Sequence, residues 1–555
     1  MNTHIREVQH QTINGDVYDY YESIIDKIFS SGEASDTKFL SFDSSEPPCP
    51  IGPGQFTRLK LTDSSCNLTS FDSSFIILKI KLNLSLWSDG NFDEYFNDNQ
   101  HVANLKDLPM MYVGFKSGIH AIDHYRFYCD KGRGYICEQS QATYESAITW
   151  FAKSQEEIEG NKGCYASYED ILECKTSVPG FYLTYRQIDE MIKNKTTLPV
   201  EFEVVIKYDD FAPLQFFKIF PNSVCGNLQM EFKINNNKNF VVCPIPFRNI
   251  MKYFKVNDPQ KYREFMGLGD DGTVSGFIDR EMDSFISHKF TNAQDAFIAA
   301  LPVIRIETTR PSKGFAKGNF YINTSNVSLL SARSYINGYN INQNNVENLR
   351  MLFTNHKVYI PAQRIDQYSF SQTPTSSNMT CNTTQSLINC STIAFMWPKT
   401  VNQLTCSENP LCTSIQLMID NKTYPDKPFS TYSLEHSNFI LNNLMFDDIF
   451  KPNHSLETSL SKDKSNKYKD KTNYMFAVST ERLDSDPYVY DGITKDNCFI
   501  TLNGTFDTQE SEYSMNPSRQ PPIMFICQDT VWELSSEGVN YYYNDKNIIP
   551  SISNN

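Results

Sequence analysis

Between Phe75 and Leu86 the sequence alternates without a break. Ile76, Leu78, Ile80, Leu82, Leu84 and Leu86 take one set of positions, and Ile77, Lys79, Lys81, Asn83 and Ser85 take the other. Successive side chains of a strand point to opposite faces, so such a run has one dry face and one largely wet face. The same two-residue period returns in Phe202, Val204 and Ile206 against Glu201 and Glu203, and in Leu228, Met230, Phe232 and Ile234 against Gln229, Glu231 and Lys233. These segments predict strands of a sandwich.

A chain of 555 residues exceeds the size at which one hydrophobic core stops growing, so two domains are expected. Alternation resumes at Ile304, Ile306 and Phe320–Leu330. It continues through Lys357–Phe370, Thr392–Trp397, Ile415–Ile419, Cys498–Leu502 and Val531–Tyr543. Hydrophobic residues make up 40% and charged residues 21%, enough for a sizeable core; the 13% aromatic share suits pleated, half-buried strands. The fold class expected is all-β, with two β-sandwiches in tandem, helical insertions and a short N-terminal helix.

The boundaries follow from the punctuation. Residues 1–36 form an N-terminal arm in which Val17, Tyr20, Tyr21, Ile24, Ile25, Ile28 and Phe29 make one apolar helical face, expected to dock on the body of the subunit. Residues 37–245 form the first sandwich, closed by Cys243-Pro-Ile-Pro246 and carrying a helical insertion at 138–158 around Tyr144, Ala147, Ile148, Trp150 and Phe151. Residues 246–300 form a helical bridge with a glycine-rich turn at 267–276. Residues 301–555 form the second sandwich, with long loops at 370–392 and at 456–473, the latter a Ser/Lys/Asp/Asn-rich insert with five lysines from Lys462 to Lys471.

Charge and targeting signals narrow the setting. The formal net charge is -15, which repels a phosphate backbone, so no direct sequence-specific nucleic-acid binding is expected. The N-terminus lacks the apolar core of a signal peptide, and no stretch reaches the roughly 18 apolar residues of a spanning helix, so the expectation is a soluble chain made in the cytoplasm of a cell without secretion. The 14 cysteines have irregular spacing and no Cys-x-x-Cys pair, and read as reduced, mostly buried thiols. Eleven Asn-x-Ser/Thr sequons reflect composition in a chain without an export signal; Asn83, for one, lies inside the alternating run.

No motif nominates catalytic chemistry. Gly267-Leu-Gly-Asp-Asp-Gly272 matches a dinucleotide-binding spacing, but a helix-like segment precedes it and a poor helix start follows. Asp270 and Asp271 lack the alternating oxygen ligands and closing Glu of a calcium loop. His120 and His124 stand four apart in a strand-like context with no third ligand, and read as a structural pair. Asp209/Asp210 and Asp447/Asp448 read as solvated turn residues rather than acid–base pairs. The expectation is therefore a non-enzyme with no catalytic, cofactor-binding or metal-binding residue and no cofactor.

One series of segments is specific. Phe395-Met-Trp-Pro-Lys399 is followed by Ser407-Glu-Asn-Pro410, Ile415-Gln-Leu417 and Asn421-Lys-Thr-Tyr-Pro-Asp-Lys-Pro428. Lys357-Val-Tyr-Ile-Pro-Ala-Gln363 precedes it, Pro221-Asn-Ser-Val-Cys-Gly-Asn-Leu-Gln229 lies in the first half, and Cys527-Gln-Asp-Thr-Val-Trp532 near the end. In order and spacing this series resembles the double-jelly-roll major capsid proteins of Polinton (Maverick) elements and adintovirus-like viruses, relatives in architecture of adenovirus hexon. The resemblance implies two jelly rolls, a homotrimer forming a pseudo-hexagonal capsomer, and an icosahedral shell around a double-stranded DNA genome. It also implies contacts with neighbouring capsomers, penton or vertex proteins and minor capsid proteins, and a place in the virion; contact with an inner membrane is left open. Residues 138–158, 247–300, 370–392 and 456–473 are then expected to supply trimer contacts and outer towers. Two rival readings stand beside it. One is a carbohydrate-binding or glycan-processing β-sandwich using Tyr and Trp87, Trp150, Trp397 and Trp532; the other is a spike or minor vertex protein.

Overall fold

The computed structural model describes residues 15–88, 109–131, 135–140, 179–235, 241–244, 320–397 except 373 and 376, 409–431, 474–480, 492–506 and 521–542. Residues 11–12, 489–490 and isolated positions in 142–171 and at 407, 433 and 435 are described as well. The chain enters through helix α1 (Gly15–Ser30). Tyr21, Ile25 and Ile28, spaced four and three apart, are buried in the first core, and the Tyr21 hydroxyl donates to the carbonyl of Ile219 at 2.9 Å. The helix is docked as expected, on a narrower stripe: Tyr20 is 58% exposed.

Strands β1 (Ala34–Asp43), β2 (Thr57–Lys60), β3 (Leu68–Ser88), β4 (Pro109–Gly114), β5 (Ile122–Cys129), β6 (Tyr135–Ser140) and β7 (Gly180–Thr184) follow. Then come helix α2 (Tyr185–Asn194), β8 (Leu198–Lys207) and β9 (Leu228–Ile234). The alternating run sits at the centre of the long strand β3, where Ile76, Leu78, Ile80, Leu82 and Leu84 are buried. On its wet face Lys79 and Lys81 reach Glu201 of β8 at 3.1 and 3.3 Å. A second sheet in the order β2-β9-β5-β6 and a third, formed by 241–244, β4 and β7, contribute to the same core. Residues 138–140, expected in a helical insertion, end β6; most of that insertion, the bridge 246–300 and the insert 456–473 lie outside the described residues.

After the bridge the chain forms β10 (Phe320–Ile341), helix α3 (Gln343–Asn355), β11 (Val358–Ser369), β12 (Asn378–Met396), β13 (Cys412–Ile419) and β14 (Lys422–Phe429). It ends in β15 (Phe476–Ser479), β16 (Ile493–Phe506), β17 (Ile523–Ser535) and β18 (Gly538–Tyr542). Eight of these strands make one sheet in the order β11-β17-β12-β16-β13-β14, with β15 on β12 and β18 on β17. The expected all-β class is what the described residues show.

Two placements differ from the sequence reading. β10, grouped above with the second sandwich at 301–555, pairs antiparallel with β3 from Phe320 opposite Ser88 to Tyr339 opposite Leu68, and with β1 on its other edge. Alternation reveals a strand's pleat but not its hydrogen-bonding partner, which is why sequence proximity misassigns it. Residues 378–392, read as part of a loop, belong to β12, where Met379, Cys381 and Leu387 are buried between exposed Thr, Asn and Ser. Polar Thr and Asn looked like loop chemistry, yet β-branched Thr suits a strand with one wet face.

The β11–β17 pair serves both cores. Val358, Ile360, Ala362, Trp532 and Leu534 belong to the first core, while Ile365 and Ile523–Cys527 belong to the second. At the crossing Trp532 is fully buried against Phe217 and Tyr541, with ring centroids 5.4 and 4.8 Å away, and its Nε1 donates to the Pro213 carbonyl at 2.5 Å. Beyond it the β17–β18 turn uses Gly538 at φ 131°, against the carbonyl of Lys131, where a Cβ has no room. Trp532→Ala is expected to cost about 3–5 kcal/mol of stability. Urea unfolding followed by circular dichroism checks this, and a loss below about 1 kcal/mol would remove Trp532 from the role assigned here.

Candidate functional site

The specific motif residues converge on corners of the fold rather than on a pocket. The Trp397 amide donates to the hydroxyl of buried Ser407 at 2.9 Å, and that hydroxyl donates to the Tyr474 carbonyl at 2.5 Å. Asn409 Nδ2 donates to the Thr431 carbonyl at 2.9 Å, while its Oδ1 accepts from the amide of Leu411, which sits at φ 53°. Gln416 Nε2 spans the β13–β14 hairpin to the carbonyls of Pro425 and Asp426 at 2.8 and 3.1 Å. Each bond satisfies a backbone group where the ladder is interrupted, and buried groups left unsatisfied are costly.

The other matched segments do the same. Asn222 is buried and ties Asp63 and Cys66 through Nδ2 at 2.8 and 2.9 Å, while its Oδ1 accepts from Thr69 at 3.1 Å. Lys357–Gln363 and Cys527–Trp532 are direct ladder partners, with Ile360 opposite Trp532 and Gln363 opposite Asp529. Glu533, 4% exposed, accepts from Lys357 Nζ at 3.0 Å, Tyr359 at 3.3 Å and Asn540 at 3.1 Å. The residues that carry the resemblance therefore hold strands in register.

The flank of the second sheet carries a row of alternating charge. Arg58 of β2, Glu231 of β9, Arg126 of β5 and Glu138 of β6 stand in register across all four strands. Arg126 Nε donates to Glu138 at 3.0 Å, its Nη1 lies 3.6 Å from Glu231, and Arg58 Nη1 donates to Glu46 at 2.9 Å. Aromatic rings face the cations: Phe56 and Tyr135 each lie 4.8 Å from the Arg126 guanidinium, and Tyr128 lies 5.0 Å from that of Arg58. Opposite charges directly across a sheet stabilise the pairing, and the row leaves a flank that is charged yet internally neutralised. A second outer face, on β1, β10 and β3, carries exposed Phe39 stacked on half-buried Tyr335, which in turn stacks on half-buried Phe75.

The remaining nominated residues fall elsewhere. His120 is buried on a short turn of helix and accepts from the Ser117 amide at 3.1 Å, whereas His124 lies on β5 with Nε2 2.8 Å from Glu138, so the two serve separate contacts. Asp210 is buried, not solvated as expected: it accepts from the Tyr165 hydroxyl at 2.6 Å and the Lys207 amide at 3.0 Å, closing the turn after β8. Asp447/Asp448 and the glycine pattern at 267–272 lie outside the described residues. Ten of the eleven cysteines described as free are buried, and burial pushes the thiols of Cys381, Cys390, Cys412 and Cys498 up to about 12, which disfavours the thiolate a nucleophile needs. Trp397 and Trp532 are fully buried, so neither ring is available to stack on a sugar; the side chains of Trp87 and Trp150 lie outside the described residues. Among the described residues no cluster of three or more His, Cys, Asp and Glu is placed to hold a metal, and no helix is long and apolar enough to cross a membrane.

No family model matches the sequence, and no curated protein does. Among solved structures, the chain is similar to the mavirus major capsid protein at 9% identity and a TM-score of 0.44, covering 91% of this chain and 90% of that one. It is similar to a chain of the Sputnik virophage at 10% identity and a TM-score of 0.44, covering 93% and 90%. It is also similar to the Faustovirus major capsid protein at 7% identity and a TM-score of 0.40, covering 94% and 98%.

The charge row generates a pH dependence. Burial pulls His124 below the usual imidazole range against the opposing pull of Glu138, and Glu138 is held low by Arg126 and His124 although its own burial acts the other way. Both groups bind protons more readily when unfolded, so the stability they contribute is full above the unfolded imidazole value of about 6.5 and is lost as pH falls toward the folded values. The urea midpoint of the wild type should fall between pH 7.5 and pH 5.5, and His124→Gln should flatten that fall. An equally steep slope in the variant would count against His124.

Proposed function

We propose that this chain is a non-enzymatic major capsid protein of the double-jelly-roll kind, three copies of which form a pseudo-hexagonal capsomer of an icosahedral shell around double-stranded DNA. The observation that carries this reading is the use made of the motif residues. The series from Lys357 to Pro428, with Asn222 and Cys527–Trp532, secures corners and registers of two β bodies instead of lining a reactive cleft. A protein whose most specific residues maintain shape is suited to work by shape.

Two further features support it. The cores are joined by a strand pair common to both, a construction suited to the block a shell requires. The Arg58–Glu231–Arg126–Glu138 row and the net charge of -15 give the block a neutralised flank inside an acidic whole, favouring solubility before assembly and leaving genome contact to basic minor proteins. In this reading the partners are further copies of the chain, then vertex and minor capsid proteins, and the place of action is the virion. In this reading residues 37–245 build the first sandwich and 301–555 the second, except that β10 joins a sheet of the first and the ends of β11, β17 and β18 its core. Membership of the Polinton and adintovirus-like group rests on the motif series. The glycan-processing alternative is weakened by the burial of Trp397 and Trp532.

Size-exclusion chromatography with light scattering should give a mass near three times the 63.9 kDa chain, and negative-stain images of that peak should have a six-sided outline. A monomer at all concentrations, or a ring of another symmetry, overturns the capsomer reading.

A further inference from the structure

β12 pairs with β17 from Met396 back to Cys390, then leaves it and continues along β16. The parting is built with breaks in the β12–β16 register on both sides of Leu387, and with Asn389 and Asn497 in left-handed backbone at φ 46° and 52°. The strand divergence opens a notch of about 480 Å³ between β11, β17 and the bent segment 384–388. That volume lies in the range of small-molecule sites.

Its chemistry is polar and electrically balanced. Arg364 Nε donates to Asp366 at 2.9 Å, so the one cation and one anion among the described lining residues cancel. Tyr368, Ser386 and Gln528 line the same space, their side chains without a hydrogen-bond partner among the described residues, and Gln528 is only 4% exposed. An anion finds its cation already neutralised, and an apolar ligand would strand these groups. A ligand rich in hydroxyls and free of net charge satisfies them, with adjacent hydroxyls bridging the Arg364–Asp366 pair and a C–H face resting on the Tyr368 ring.

We propose that this notch binds a neutral saccharide. The site stands independently of the capsid reading, since it lies within one chain and needs no trimer. Saturation-transfer-difference NMR on the full chain, with glucose, galactose, N-acetylglucosamine and lactose at millimolar concentration, tests it. At least one sugar should receive transfer, and Asp366→Asn should weaken its apparent Kd by roughly tenfold or more, since a hydrogen bond to a charged group is lost. Ser386 is exposed at the rim, so Ser386→Trp fills the notch at little risk to folding and should abolish transfer; it keeps the test decisive if Asp366→Asn unfolds. Absence of transfer from all four sugars, or undiminished transfer in either folded variant, overturns the assignment.

Discussion

The antiparallel ladder between β11 and β17 runs unbroken from Val358 opposite Leu534 to Ser369 opposite Ile523, and the rest of the molecule is arranged around it. Its upper half closes the first core and its lower half the second, so neither body is complete without the other's chain. Trp532 is the point of greatest consequence. It fills the first core from a strand whose earlier residues fill the second, and its indole N–H meets a carbonyl in the short 212–214 turn of the first half. Aromatic burial on this scale supplies much of a core's energy, and here it also fixes where two cores meet.

Interruptions in the strands are handled by side chains with two hydrogen-bonding ends. Asn222, Asn409 and Gln416 each bind backbone groups that a bulge or corner leaves unpaired. In the notch between β11, β17 and β12 the side chains of Tyr368, Ser386 and Gln528 have no partner among the described residues, and that contrast separates it from the corners.

The motif series stands out in the sequence by its order and spacing, and the structural duty of its residues becomes visible only in the fold. The charge row does not stand out, because Arg58, Glu231, Arg126 and Glu138 come from four distant segments that only the register brings into line. Asp210 was misread for a related reason: paired aspartates near a turn carry no sequence mark of the Tyr165 hydroxyl waiting beside one of them.

What the sequence by itself determined is local: the pleat of β3, β8 and β9, the apolar stripe of α1 and the all-β class all follow from the periodic spacing of apolar side chains, which the backbone geometry converts directly into faces. Tertiary structure alone decided the partners. It placed β10 between β1 and β3, split β17 between two cores, and bent β12 away from β17 to open the notch. A strand's alternation is the same whichever neighbour completes its ladder, so pairing is settled only when the whole chain competes for the same hydrogen bonds and the same buried volume.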